Sequence, residues 1–453
     1  MIAPQRVVDE ALRAATVDET VVIVTDKAET SLRWAGNSMT TNGVSTRRST
    51  SVISIVRDGE RGRVGSVQTS EVDPDATAGL VAASEEVARR APQAHDSAPM
   101  MIGADVPGDW DAPVIATGPE VFGALAAALS RGFRGPHMLY GYARHELATT
   151  FLATSTGMRR RFTQPTGSVE INAKRVGASV WAGLSTPDFI DLPVDELLAQ
   201  LETRLEWSKR TVSMPAGRYP TLLPPSTVAD LMIYLAWTMD GRGAQEGRTA
   251  LSAPGGGTRV GERLTKLPLT LYSDPYAAGL ACTPFVATSS SSEVLSVFDN
   301  GMDIGRVDWI RDGAINALAY PRATAAEFGV PVAVPADNLL MTGGEASLDE
   351  MISRTERALL LTTLWYMRTV DPTTLLLTGL TRDGVYLVED GAVTAAVNNF
   401  RFNESPIDLL RRAVDVGAPE ATLPREMGDW ATRTVMPPLL IPDFHMSTVS
   451  PAQ

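Results

Sequence analysis

Four histidines, a single cysteine and a scatter of carboxylates are the residues of this 453-residue chain with obvious chemical potential. His145-Glu146 is the first pair to invite a metallopeptidase reading. A zinc-binding helix of that kind needs a second histidine four residues on, so that both rings share one face. Position 149 is threonine, and the stretch Ala148 to Thr156 is β-branched and strand-like, so the pair is expected to be exposed on a strand. His95, His137 and His445 are scattered, with no metal-ligand spacing, and are expected at the surface.

Cys282, in Gly279-Leu280-Ala281-Cys282-Thr283-Pro284, has no histidine near it in sequence. A lone cysteine is more often a small buried hydrophobe than a nucleophile. Gly255-Gly256-Gly257-Thr258 is not preceded by a strand or followed by Lys-Ser/Thr, and Pro254 favours a plain turn, so no phosphate loop is expected. A Gly-x-Ser-x-Gly nucleophile elbow is also absent. The residues taken one by one define no catalytic centre.

The elements that would have to position a site are clearer. Pro224 to Leu251 opens with a proline pair and a cap candidate, Ser226 or Thr227, and continues as an apolar helix through Val228, Leu231, Met232, Leu235 and Trp237 to Met239. Its glycine-punctuated tail, Gly241 to Thr249, is not expected to stay helical, since each glycine costs about 1 kcal/mol relative to alanine. Upstream, an amphipathic first helix precedes strands at Thr20–Val24, Ser49–Arg57 and Arg61–Thr69, with an Asn42-Gly43 hairpin signal. Helices are predicted over Asp73–Arg90, with a proline in its first turn, Glu120–Arg131 and Val194–Thr211. The chain from Tyr219 on alternates short strands with Gly/Pro/Asp turns, including Val294–Phe298 and Ala392–Phe400, and has one clear helix over Ser347–Leu360. The fold class is α+β: an N-terminal antiparallel sheet with helices on one face, then a C-terminal barrel- or sandwich-like domain around a central buried helix. The expected divisions are 1–92, a crossing at 93–118, a middle segment 119–213 that continues the N-terminal half, and 218–453.

A net charge of −13 argues against nucleic-acid and anionic-membrane partners, which require concentrated Lys and Arg. Arg159-Arg160-Arg161 is expected to be a solvated strand edge. One cysteine rules out an intramolecular disulfide and fits a reducing compartment. With no signal-peptide h-region and no long apolar run, a cytoplasmic location is expected.

The order of short motifs adds what none of them carries alone. Glu29-Thr30-Ser31-Leu32-Arg33, Asn42-Gly43-Val44 and Gly62-Arg63-Val64-Gly65-Ser66 come first. Leu223-Pro224-Pro225-Ser226 then leads into Gln245-Glu246-Gly247-Arg248-Thr249, followed by Gly261-Glu262-Arg263-Leu264, Asp299-Asn300-Gly301, Val370-Asp371-Pro372 and Glu389-Asp390-Gly391. In this succession the chain resembles the TldD/PmbA family of metallopeptidase-related proteins over nearly its whole length. The resemblance implies a paired complex that degrades or trims small or unfolded peptides. In it the TldD-like subunit carries HExxxH on the central helix and a C-terminal cysteine as zinc ligands.

This chain departs from that pattern. The HExxxH positions fall on Met232-Ile233-Tyr234-Leu235-Ala236-Trp237, no histidine occurs between His145 and His445, and the cysteine region reads Arg425-Glu426-Met427-Gly428-Asp429-Trp430. Zinc takes Cys, His or carboxylate ligands, and Met232, Ile233 and Trp237 supply none. The resemblance is therefore to the TldE/PmbA side: a non-catalytic subunit with no cofactor of its own, zinc in a HExxxH-bearing partner, and a role as chamber wall and peptide dock. Candidate peptide or interface residues are Asn398, Asn399, Phe400, Arg401, Phe402 and Asn403, with Glu246 and Arg248. The rivals are a stand-alone peptide-binding or assembly protein and a metal-free hydrolase using Cys282 or a serine.

Overall fold

A computed structural model describes residues 2–70, 76–103 and 105–451. Six strands form the N-terminal sheet: β1 Glu19–Trp34, β2 Met39–Asp58, β3 Arg61–Thr69, β4 Met138–Thr154, β5 Arg159–Arg175 and β6 Ala178–Ser185, in the order β3-β2-β1-β4-β5-β6 with every neighbour antiparallel. Side chains alternate across a strand, and β1 is apolar on both sides because both sides are covered. Val22 and Val24 pack under helices Pro4–Ala14 and Ala76–Arg90 with Val8, Ala11 and Val81. Val21 and Ile23 face Phe285, Val297 and Phe298 from the C-terminal half. Helices Gly123–Gly132 and Val194–Trp207 cover β4, β5 and β6 through Leu125, Leu129, Leu197, Leu201 and Leu205.

The C-terminal half holds two further sheets. One runs Ala314–Ile315, Val307–Arg311, Leu271–Ser273, Leu339–Met341, Thr434–Met436 and Glu420–Thr422. The larger is mixed, and at its centre Gly217–Leu223 lies between antiparallel Leu439–Val449 and parallel Arg357–Leu361. The central helix Pro225–Trp237 is enclosed by both sheets, with Thr227 to Ile233 and Leu235 buried. Thr227 Oγ1 donates to Leu361 O at 2.9 Å and fixes the first turn to the larger sheet. Among the described residues no helix is long and apolar enough to cross a membrane.

Several local expectations are corrected. The hairpin turn is at Gly36-Asn37, both with positive φ, while Asn42-Gly43 lies inside β2, paired with Leu32 and Ser31. A two-residue turn of that kind needs positive φ at both centres, and Gly-Asn supplies it as well as Asn-Gly. The helix expected over Ser347–Leu360 ends at Ser353. Ser347 and Glu350 form its capping box, and the apolar run Arg357–Leu361 is a buried strand. A short apolar run has no period that separates the two states. Val294–Phe298 is not a strand, since Ser296 caps a 3-10 turn over Val297–Asp299. The tail after the central helix forms a further short helix, Gly241–Gln245, with Asp240 as its cap. Arg159 to Arg161 are half-buried, and Arg161 stacks over Phe151 and pairs with Asp109. The start expected for the second helix, Asp73 to Asp75, lies outside the described residues.

Helix Ala76–Arg90 meets the sheet so closely that a Cβ on Gly65 would lie 2.1 Å from Ser84 O and 2.3 Å from Ala88 N. Backbone atoms cannot retreat as a side chain can. Gly65→Ala is expected to lower stability by about 1–3 kcal/mol or more, the range for overpacking, as read from denaturant unfolding. An unchanged midpoint would contradict this contact.

Candidate functional site

The residues aligned with the family's metal helix are core. Met232 and Ile233 are buried in the central cluster, whereas Trp237, on the last turn, is 55% exposed. The sequence did not single out the polar group on the same helix, Asp230. It is fully buried, and its carboxylate accepts three backbone N–H groups: Oδ1 from Glu426 and Met427 at 3.0 Å each, and Oδ2 from Arg425 at 3.2 Å. Burial pushes the Asp230 carboxyl up to about 8, with the three amides pulling the other way. The loop gripped in this way is the segment Arg425 to Trp430.

That loop is braced on both sides. Arg425 lies between the rings of Trp181, on β6, and Trp365, at 5.2 and 4.9 Å, and donates to Glu170 at 3.0 Å. Glu426 accepts Met367 N at 3.0 Å, and Tyr234 of the central helix donates its hydroxyl to Met367 O at 2.9 Å. Tyr366 has φ 54° and Arg368 over its ring at 4.4 Å. A non-glycine residue in that region is uncommon and tends to mark ligand-facing segments. Trp237, Tyr366 and Trp430 are all more than half exposed around this braced loop and helix end. Large aromatics left in water are the part of a surface that most often meets a partner.

Zinc does not fit these residues. A catalytic zinc takes three protein ligands drawn from Cys, His or carboxylate plus a water, and the helix turns methionine and isoleucine inward at the matching positions. Its one carboxylate has both oxygens engaged by amides. Among the described residues no three His, Cys, Asp or Glu side chains cluster as ligands.

The other candidates are dispersed. Phe400 and Phe402 are fully buried, Phe402 against Phe444 at 5.7 Å, so that strand turns its aromatic stripe into the core and cannot line a chamber with it. Asn398 accepts Met214 N at 2.7 Å and Asn399 accepts the Thr381 hydroxyl at 3.0 Å, which leaves Arg401 exposed and Asn403 half-buried. Glu246 and Arg248 form a separate surface cluster of charges with Arg242, Glu293 and Glu327. His145-Glu146 is on a strand but buried: the imidazole meets Thr117 Oγ1 at 2.6 Å and Pro187 O at 2.8 Å, while Glu146 pairs with Lys27 and Arg144. Cys282 is fully buried and its thiol is pushed up to about 11, which leaves almost no thiolate at neutral pH.

Asp230→Ala would leave three buried N–H groups unpaired at about 1–3 kcal/mol each, so a loss of about 3 kcal/mol or more is expected in denaturant unfolding. The pH dependence has a definite sign. A carboxyl raised from 3.8 to about 8 binds its proton more tightly folded than unfolded. Its contribution is therefore complete below about pH 4 and is lost as pH rises to about 8. Asp230→Asn has no proton to lose, although its Nδ2 cannot accept a backbone N–H as Oδ2 does, so from a lower starting stability it should gain on the wild type across that window. Parallel curves would show that Asp230 stays ionised in the fold.

Comparison with known proteins bears on the fold and the family. A model of the PmbA/TldA metallopeptidase C-terminal domain matches residues 216–448. No curated protein matches the chain. TldE from Thermococcus kodakarensis superposes with a TM-score of 0.78 at 15% identity, over 97% of this chain and 99% of that one. A protein described as a modulator of DNA gyrase from Bacteroides thetaiotaomicron gives 0.77 at 16%, over 99% and 100%, and one from Thermotoga maritima gives 0.74 at 16%, over 94% and 95%. At these identities the superpositions establish a shared fold. The matched model spans just over half of the sequence, and the chain belongs to the PmbA/TldD family of metallopeptidase-related proteins.

Proposed function

We propose that this chain is the zinc-free, non-catalytic subunit of a heteromeric cytoplasmic peptidase of the TldD/TldE type, acting on small or unfolded peptides beside a HExxxH-bearing paralogue that holds the zinc. The observation that carries the proposal is the Asp230 grip. The resemblance implies a catalytic subunit whose metal ligands come from this helix and a C-terminal cysteine, whereas here a carboxyl group and three amides join the helix to the corresponding loop, with Met232 and Ile233 packed as core. A helix so filled offers no general base and no open coordination position, so hydrolysis belongs to the partner.

The contribution of this chain is then a wall and a dock. Trp237, Tyr366 and Trp430 surround the braced loop with exposed rings, and rigid aromatics supply much of the contact energy when a peptide or a partner subunit is bound. This surface replaces the Asn398–Asn403 strand in the docking role, because that strand's aromatics are committed to the core.

Zinc content and peptidase activity should be measured for the chain alone, the paralogue alone and the mixture. No zinc and no cleavage by the chain alone, with activity in the mixture above that of the paralogue, is the expected pattern. Stoichiometric zinc or chelator-sensitive cleavage in the isolated chain would overturn the proposal. The double variant Trp237→Ala, Trp430→Ala should keep its unfolding midpoint, because both rings are exposed, yet stimulate the paralogue about tenfold less, as hot-spot truncation does. Full stimulation by that variant would remove the aromatic dock.

A further inference from the structure

Arg204 is an arginine with no counter-ion among the described residues. It lies on helix Val194–Trp207 where the N-terminal sheet meets the larger C-terminal sheet, and it is 8% exposed. One N–H group, on Nη1, donates to Trp181 O at 2.6 Å. Burial pushes the guanidinium below its ordinary value, and the nearby Tyr386 hydroxyl only partly offsets this. A buried charge is costly unless paired. Other buried arginines of this chain obey that rule: Arg48 holds Asp26 through two contacts of 2.6 Å, and Arg433 holds Asp337 at 3.0 Å.

The guanidinium lines a cavity of about 260 Å³ between the two halves. Gln200 and Glu196 follow it at four-residue steps along one helix face and also line the cavity. On the other sides are Glu420 and Ser226, the latter in the first turn of the central helix. Pro224 and Pro225 have no N–H, so that turn brings to the cavity the Ser226 N–H and the positive end of the helix dipole. One wall is therefore cationic, with Arg204 as its donor group, while Glu196 and Glu420 bring two carboxylates to the same space. Phosphate or another dianion would meet those carboxylates, whereas a ligand with one negative and one positive end matches both walls. The volume is just under the range of roughly 300–1,000 Å³ typical of drug-sized ligand sites, so the ligand must be small.

We infer that this cavity binds a short zwitterion, a free amino acid or a dipeptide, with its carboxylate on Arg204 and its ammonium group toward Glu196 and Glu420. The site is separate from the aromatic surface around Trp237, and its test needs neither a paralogue nor peptidase activity, so it can succeed or fail independently of the subunit proposal.

The test is calorimetric titration of the full chain with alanine, Ala-Ala, N-acetyl-Ala-Ala, Ala-Ala amide and inorganic phosphate, repeated on Arg204→Met and Glu420→Gln. Saturable binding of alanine or Ala-Ala is expected, weakened about tenfold or more by amidation or by Arg204→Met, the scale for losing one partner of a buried charged pair. N-acetylation should weaken binding in the wild type, and less so in Glu420→Gln. Ligand-free Arg204→Met should unfold no earlier than wild type, because an unpaired buried charge has been removed. Alanine and Ala-Ala both silent, phosphate bound in their place, binding indifferent to Arg204→Met, or a ligand-free Arg204→Met that unfolds early would each overturn the inference.

Discussion

The carboxylate of Asp230 in a ring of three backbone N–H groups is the contact on which the C-terminal half depends. It joins residues about two hundred positions apart and places a loop, rather than a side chain, against the central helix. The amides of Arg425, Glu426 and Met427 would otherwise be buried without acceptors, and such donors are rare in folded proteins because each is costly. Through Arg425 the same loop reaches Trp181 and Glu170 of the N-terminal sheet, so one buried acid holds helix, loop and both halves in register.

The two halves meet along one sheet face. Val21, Ile23, Ile53 and Ile55 pack on Phe285, Val297 and Phe298, and a rim of polar contacts surrounds this apolar centre. Arg322 joins the carboxylate of Asp299 to the backbone oxygens of Pro99 and Phe298, Arg433 joins Asp337 to Pro165 and Thr166, and Gln164 accepts from Thr283. Arginine suits this position because its planar group donates in several directions while stacking on rings. Lysine is scarce here, confined to Lys27, Lys174, Lys209 and Lys266, so most of the 40 basic side chains have that capacity. An internal Arg–carboxylate pair is neutral, so the net charge of −13 set by composition falls on the remaining groups.

The join between the central helix and the loop from Arg425 to Trp430 is made by one carboxyl and three backbone N–H groups of the chain itself. Met232 and Ile233, at positions the resemblance assigns to the metal, pack on the same helix as ordinary core.

Much of this was fixed by residue type within one helical turn or one pleat. The β-branched run Thr20–Val24 marked β1, the apolar run from Val228 marked the central helix, and the residue types of Met232, Ile233 and Trp237 are read without any coordinates as outside the Cys, His and carboxylate set that zinc takes. Such features are legible because the physics that sets them is local. The remaining features were decided by contacts between distant segments. Alternation shows that Phe400 and Phe402 share a face, but only the packed sheets decide that this face is core. Asp230 reads as one polar residue in an apolar helix, and its three partners lie about two hundred residues away. Arg204 looks in sequence like any charge on an amphipathic helix, and its lack of a counter-ion among the described residues exists only once two halves have closed over it. A hydrogen-bond partner or a buried charge is a property of a place in the fold, and that place is created by the tertiary structure alone.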